Sequence, residues 1–282
     1  MLVSLKKQMD AAQTEGFAVP AFNVYNMETM LGAVQAAEQA RAPIILQVYA
    51  RLFKNGDAQW VAATILEAAR ESNIPICFHL DHGLSALEIE RAIKWGTTGI
   101  MFDGSLLSLK ENIMRTKNIV ELCNKNGVTV EGELGHIGSA NDENMDEFTD
   151  SKEAGEYVRN TNVAALAILV GNAHGHYKKP PKLDIGRIAD IYRETNYTPL
   201  VLHGGSGITD EQIMQAIKAG IRKVNFGTDV CYSFLNAVQR EMEDPEKRMA
   251  VDLFMKKPVE AVKEFCLAKI RLLGAEGMAG KV

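Results

Sequence analysis

The stretch Pro75-Ile76-Cys77-Phe78-His79-Leu80-Asp81-His82-Gly83 begins as an apolar run and ends in two histidines and a carboxylate. Read as a buried strand, it carries ionisable groups to its end, where the chain leaves the core and a ligand can reach them. A lone histidine there would be a satisfied polar strand end. Aspartate and histidine packed this closely point instead to a metal or acid–base site. Whether other strands end the same way decides between the two.

Working outward, the same pattern recurs: a short β-rich apolar run, then a longer segment with apolar residues at three- and four-residue spacings. The runs are 18–24, 43–49, 75–82, 99–105, 129–135, 165–171, 199–205 and 223–229. Helical periodicity covers 27–40, 58–72, 86–95, 109–126, 152–162, 184–195 and 210–219. Ser85 with Glu88, and Thr209 with Gln212, match the Ser/Thr-x-x-Glu/Gln capping box of a helix start. Strands too apolar to face water on either side, each followed by a helix, predict an α/β protein whose parallel sheet closes into a (β/α)8 TIM barrel. An open doubly wound sheet is the alternative. It would carry a glycine-rich turn after the first strand, where this chain has Asn23-Val24-Tyr25-Asn26. No linker or composition break divides the chain, so residues 1–282 are expected to form a single domain. The tail after residue 229 is expected to add two or three helices, some reaching a partner subunit.

Composition limits the function. The chain has 282 residues, 46% hydrophobic and 24% charged, enough for one full core. With 31 basic against 36 acidic residues and no dense basic run, nucleic acid is not an expected partner. No apolar run reaches the roughly 18 residues of a membrane span, and a cytoplasmic protein is expected. Cys77, Cys123, Cys231 and Cys266 lack paired spacing, as reduced thiols do.

In a barrel the site lies at the C-terminal rim, so strand ends are the candidates. His82, His174 and His203 come from different strands, and each precedes a glycine. Three imidazoles with one open position make a zinc site. Asp103 and Glu133 also end strands. Small residues at Gly204-Gly205-Ser206-Gly207, and Asn225-Phe226-Gly227-Thr228, place amides and hydroxyls at the rims of strands seven and eight, where barrels often bind phosphate. Zinc beside a phosphate pocket, with Asp81 next to one ligand, suits chemistry in which a carbonyl is polarised and a carboxylate moves a proton. Aldol cleavage of a ketose phosphate through a zinc-stabilised enediolate fits. Zinc hydrolysis is the competing chemistry, but barrel hydrolases usually place a His-x-His pair on the first strand, which has no histidine here.

The segments His79-Leu80-Asp81-His82-Gly83, Glu131-Gly132-Glu133-Leu134-Gly135, Ala173-His174-Gly175, Leu202-His203-Gly204-Gly205-Ser206-Gly207 and Lys223-Val224-Asn225-Phe226-Gly227-Thr228 closely resemble the class II, zinc-dependent ketose-bisphosphate aldolases, which include fructose- and tagatose-bisphosphate enzymes. The resemblance spans nearly the whole chain. It implies that His82, His174 and His203 bind Zn2+ and that Asp81 exchanges a proton with the C4 hydroxyl. It implies that Asn23, Gly175, Gly204, Gly205, Ser206, Asn225, Phe226, Gly227 and Thr228 hold the substrate and its phosphate. Asp103 and Glu133 match carboxylates of a second metal position, or else hydrogen-bond the zinc histidines. A monovalent cation, Na+ or K+, near the phosphate and a homodimer or homotetramer are also implied.

The chain departs from that pattern in three places. Where the family carries a loop glutamate for the C3 proton of dihydroxyacetone phosphate, this chain has Asn141, with Asp142 and Glu143 as the nearby substitutes. A small hydroxyl residue at the end of strand two is replaced by Tyr49, followed by Arg51. These are either solvated rim residues or readers of an unusual aldehyde. A Thr or Ser before the zinc histidine is replaced by Asn172. Arg222, Lys256, Lys257 and Arg271 are available for a distal phosphate or for a carboxylate. The expected activity is cleavage of a ketose 1-phosphate or 1,6-bisphosphate to dihydroxyacetone phosphate and an aldehyde. The alternatives are an aldolase for a less common phosphorylated keto-sugar and a non-catalytic sugar-phosphate binder.

Overall fold

All eight apolar runs form strands: β1 Val19–Asn23, β2 Ile44–Tyr49, β3 Ile76–Gly83, β4 Gly99–Phe102, β5 Thr129–Leu134, β6 Ala165–Ile168, β7 Leu200–Leu202 and β8 Ile221–Phe226. In this computed structural model, which describes residues 1–139, 148–175, 177, 181–243 and 250–282, they pair in chain order, all parallel, and β8 closes on β1. The closed barrel excludes the open-sheet alternative. Six of the strands stop earlier than their apolar runs, whose last residues turn out of the ladder at the rim, whereas β2 ends with its run at Tyr49 and β3 continues one residue further, to Gly83. In contrast, β8 starts two residues early, directly after Gly220, the C-cap of the preceding helix.

The helices are α1 Leu5–Glu15, α2 Met27–Ala40, α3 Ala50–Asn55, α4 Ala58–Glu71, α5 Ala86–Lys94, α6 Leu109–Asn124, α7 Ser151–Thr161, α8 Ile185–Glu194, α9 Asp210–Ala219, α10 Thr228–Met242, α11 Val251–Phe254 and α12 Lys256–Leu272. Ser85 and Glu88 form the complete capping box of α5. At α9, Thr209 accepts from the Gln212 amide, but Gln212 turns its own side chain to Leu183 and Pro181. That side chain staples the loop before α8 instead of closing a box.

Two helices escape the sequence pattern. Helix α1 buries Leu5, Met9 and Ala12 under the barrel, and Gln8 donates to the carbonyls of Ile44 and Pro75 at the starts of β2 and β3. It covers the N-terminal end, opposite the rim where the strands end. Helix α3, only six residues long, follows Tyr49 directly. In the tail, α12 buries Pro258, Val262, Cys266 and Ile270 within the chain, Val262 lying against Gly32 of α2. No helix among the described residues is long and apolar enough to cross a membrane.

Side-chain alternation along the strands brings Asn23, Gln47, His79, Glu131, Lys223 and Asn225, all buried, into the barrel interior, and the outward residues pack under the helices. The site is built on this polar interior.

Candidate metal centre and active site

Consecutive residues of a regular strand face opposite sides, so Asp81 and His82 would not share a pocket. The β3–β4 register shifts between Leu80 and Gly83, and His82 takes a left-handed backbone with φ 55°. This local irregularity turns both side chains to the same cavity. His174 follows β6 and His203 follows β7, so the three imidazoles approach from separate strands. His82 packs edge-on to His174 and His203, with ring centroids 4.8 and 4.9 Å away.

The outer partner of each imidazole dictates its tautomer. His174 Nδ1 donates to the Ile137 carbonyl at 2.9 Å, His82 Nδ1 to Asp103 Oδ2 at 2.9 Å, and His203 Nε2 to Glu131 Oε1 at 2.9 Å. The remaining nitrogens converge: His203 Nδ1 lies 3.2 Å from His82 Nε2 and 3.4 Å from His174 Nε2. With all three rings neutral, three inward lone pairs at this spacing repel, and a proton on His82 or a metal cation among them relieves that repulsion. Burial pushes His174 down to about 4 and His203 well below its ordinary value. At His82 burial also opposes charge, but Asp81, Asp103 and Glu133 outweigh it and push His82 up to about 9. The cluster therefore attracts positive charge while two members stay neutral, as metal ligands must. Among the described residues, His82, His174 and His203 form one group able to hold a metal, and His82, Asp103 and Glu133 another. A set of three nitrogens with hydrogen-bonded outer atoms fits zinc.

Asp103 is held below the usual carboxylate range: burial opposes its charge, but the hydrogen bonds from His82 and Ser105 prevail. Glu133 is pushed up to about 8 by burial and by Asp103. Asp103 thus orients His82, while Glu133 has one oxygen without a hydrogen-bond partner and stands in the second group.

Asp81 is braced from the other side. Asn23 Nδ2 donates to Asp81 Oδ2 at 2.7 Å, and Gln47 Nε2 donates to Asn23 Oδ1 at 2.7 Å. The other oxygen, Oδ1, has no hydrogen-bond partner and lies 4.0 Å from His82 Nε2. One carboxylate oxygen is fixed and the other is available for a proton.

A cavity of about 240 Å3 connects these groups, lined by Asn23, Tyr25, Tyr49, Arg51, Asp81, His82, His174, Gly175, Gly204, Ser206, Asn225, Gly227 and Thr228. Most of the expected phosphate residues therefore reach one space. Gly204 is required there: its φ is 63°, and a Cβ would come within 1.9 Å of the Ala173 carbonyl.

Two expected residues serve differently. The Gly205 amide donates to the Asn225 carbonyl and so is not free for a ligand. Phe226 turns outward, 6.0 Å from the rings of Phe22 and Phe265, because alternation gives the inward position to Asn225. Arg222 also faces away: at the start of β8 it donates to the carbonyls of Ile217 and Ile221, on the closed side of the barrel. Arg271 pairs with Glu276 in the last turn of α12. Asn172 is a brace: it accepts from the Val170 amide and donates to the His203 carbonyl. Asn141, Asp142 and Glu143 lie outside the described residues.

Glu131 and Lys223 open two of the segments quoted above but receive no role from them, and Gln47 lies in none. Lys223 Nζ sits 2.8 Å from Glu131 Oε2, both side chains fully buried, so the carboxylate that orients His203 is itself held by an ammonium. The available signal was a polar or charged residue at an inward position of a buried strand.

The sequence model described as fructose-bisphosphate aldolase class-II matches residues 3–278. Among solved structures, the YdjI aldolase from Escherichia coli K12 is similar at 32% identity and a TM-score of 0.89, over 99% of this chain and 100% of that one. A fructose-bisphosphate aldolase from Campylobacter jejuni, at 21% identity, shares the fold with a TM-score of 0.84 over 98% and 97% of the two chains. A family match over almost every residue, on a barrel whose rim gathers three imidazoles and an aspartate, leads to one conclusion: the chain belongs to the class-II fructose-bisphosphate aldolase family.

Proposed function

We propose that the chain is a zinc-dependent aldolase that reversibly splits a ketose 1-phosphate or 1,6-bisphosphate into dihydroxyacetone phosphate and an aldehyde. The observation that carries this reading is the unpaired Oδ1 of Asp81, 4.0 Å from an imidazole whose free nitrogen joins two others. Zinc held by His82, His174 and His203 would supply Lewis-acid polarisation of the C2 carbonyl. Asp81 takes the proton of the C4 hydroxyl. The C4 oxygen pair then forms the aldehyde carbonyl, the C3–C4 bond breaks, and its electrons pass to C3 and toward C2. A proton returned to C3 completes dihydroxyacetone phosphate; Asp142 or Glu143 is assigned that delivery. Gly175, Gly204, Ser206, Asn225, Gly227 and Thr228 orient the C1 phosphate through amides and hydroxyls, while Asn23 and Gln47 hold the Asp81 carboxyl in place.

The test is release of dihydroxyacetone phosphate from a panel of ketose 1-phosphates and 1,6-bisphosphates by zinc-loaded protein. Turnover is expected, and it should fall by about 10²–10⁴ in Asp81→Asn with zinc content unchanged. Turnover indifferent to both chelation and Asp81→Asn would reject the mechanism.

A further inference from the structure

One end of the cavity differs in chemistry from the rest. Tyr49 ends β2 in register with Asp81, and its ring lies 5.7 Å from that of His82. Arg51 follows in the first turn of α3, its guanidinium carbon 5.1 Å from the Tyr49 ring centroid and 5.7 Å from that of Tyr25. The guanidinium is thus held against two aromatic faces at the cavity wall.

Arg51 has no ion pair among the described residues, and it is the one Arg or Lys among those lining the cavity. The wall contributed by Gly204, Ser206, Gly227 and Thr228 uses neutral groups. Asp81, which acts on the C4 hydroxyl, belongs to the first atom of the aldehyde half. Its strand neighbour is Tyr49, and the chain leads from there to Arg51. On the aldolase reading, this register sets the cation on the aldehyde side of the scissile bond.

A guanidinium held against two rings, with no carboxylate partner among the described residues, offers a planar pair of donors to an oxyanion, with little ordering left to do on binding. We propose that Arg51, clamped by Tyr25 and Tyr49, is the specificity-determining residue for the aldehyde half and selects an aldehyde with an anionic terminus, carboxylate or phosphate. This rests on the aldolase reading above.

The test is condensation of dihydroxyacetone phosphate with three aldehydes differing at one terminus: glyceraldehyde, glyceraldehyde 3-phosphate and 2-hydroxy-3-oxopropanoate. The zinc-loaded wild type is expected to favour at least one anionic aldehyde over glyceraldehyde by about 10–100-fold in kcat/KM, the worth of a charge-assisted hydrogen bond. Which anion wins identifies the terminus. In Arg51→Met that advantage should shrink to about threefold or less, and Arg51→Lys should recover part of it. Arg51 is exposed, so both variants are expected to fold. A wild type that favours glyceraldehyde overturns the proposal. So does an Arg51→Met whose loss is equal for all three aldehydes and lies in the KM for dihydroxyacetone phosphate, which would place Arg51 on the shared phosphate. Failure of the aldolase reading looks different: the wild type would then condense none of the three and would not exchange the C3 proton of dihydroxyacetone phosphate with deuterated water.

Discussion

The side chain of Lys223 is completely buried, and that of Glu131, 2.8 Å away, is equally buried. Removing one partner of such a pair leaves the other charged in a medium that cannot solvate it. Lys223→Met is therefore expected to cost about 3–5 kcal/mol in urea unfolding, and Lys223→Met combined with Glu131→Gln should recover most of that. Recovery of stability without recovery of zinc affinity would mark Glu131 as the group that orients His203. His79, 3.6 Å from the same carboxylate, tests the interior from another side. Burial, with Lys223 adding to it, pushes His79 down to about 3, so it stays neutral in the fold while the unfolded chain protonates near 6.5. Its contribution is complete above pH 6.5 and declines as pH falls toward 3. Between pH 7.5 and 5 the wild type should therefore lose about 2 kcal/mol more than His79→Gln.

At the scale of elements, two helical glycines separate packing from propensity. In α2, a Cβ on Gly32 would lie 2.7 Å from Val262 Cβ and 2.9 Å from the Val259 carbonyl, so α12 can approach only because that side chain is absent. Gly32→Val should push the helices apart and cost about 1–3 kcal/mol. In α8, Gly186 is exposed, and a Cβ there meets only Asp184 Oδ1 at 3.6 Å. Gly186→Ala should raise stability by up to about 1 kcal/mol, since the gain in helix preference meets no clash. Thermal unfolding of the two variants beside the wild type checks both signs.

For the whole molecule, the three imidazoles come from β3, β6 and β7, so an ion bound to them ties distant parts of the barrel. Metal that binds only the folded chain stabilises it by mass action, by about 4 kcal/mol at a thousandfold excess over its dissociation constant. Zinc should raise Tm, a chelator should reverse the rise, and His203→Ala should abolish it. A Tm equally sensitive to zinc in His203→Ala would place the stabilising ion elsewhere.

How much of this was legible beforehand differs by feature, and the reason is range. Periodicity and local caps are properties of neighbouring residues, so the eight runs, the α2 and α9 boundaries and the Ser85 cap could be read directly from the chain. The histidines followed by glycine could be read as well, because a barrel sends every strand end to one rim. Helix α3 was too short to show a period, and the purpose of α1 depends on strands that follow it. Whether Phe226 or Asn225 faces the site depended on the register of β8, and the shared orientation of Asp81 and His82 depended on a bulge against β4. The pairing of Lys223 with Glu131 joins residues 92 positions apart across the barrel. By itself the sequence determined the strand–helix order, the family and the three imidazoles. The tertiary structure alone decided which nitrogen of each imidazole is free, which oxygen of Asp81 can take a proton, and that Arg51 is clamped beside them, because each depends on contacts between strands that the barrel brings together.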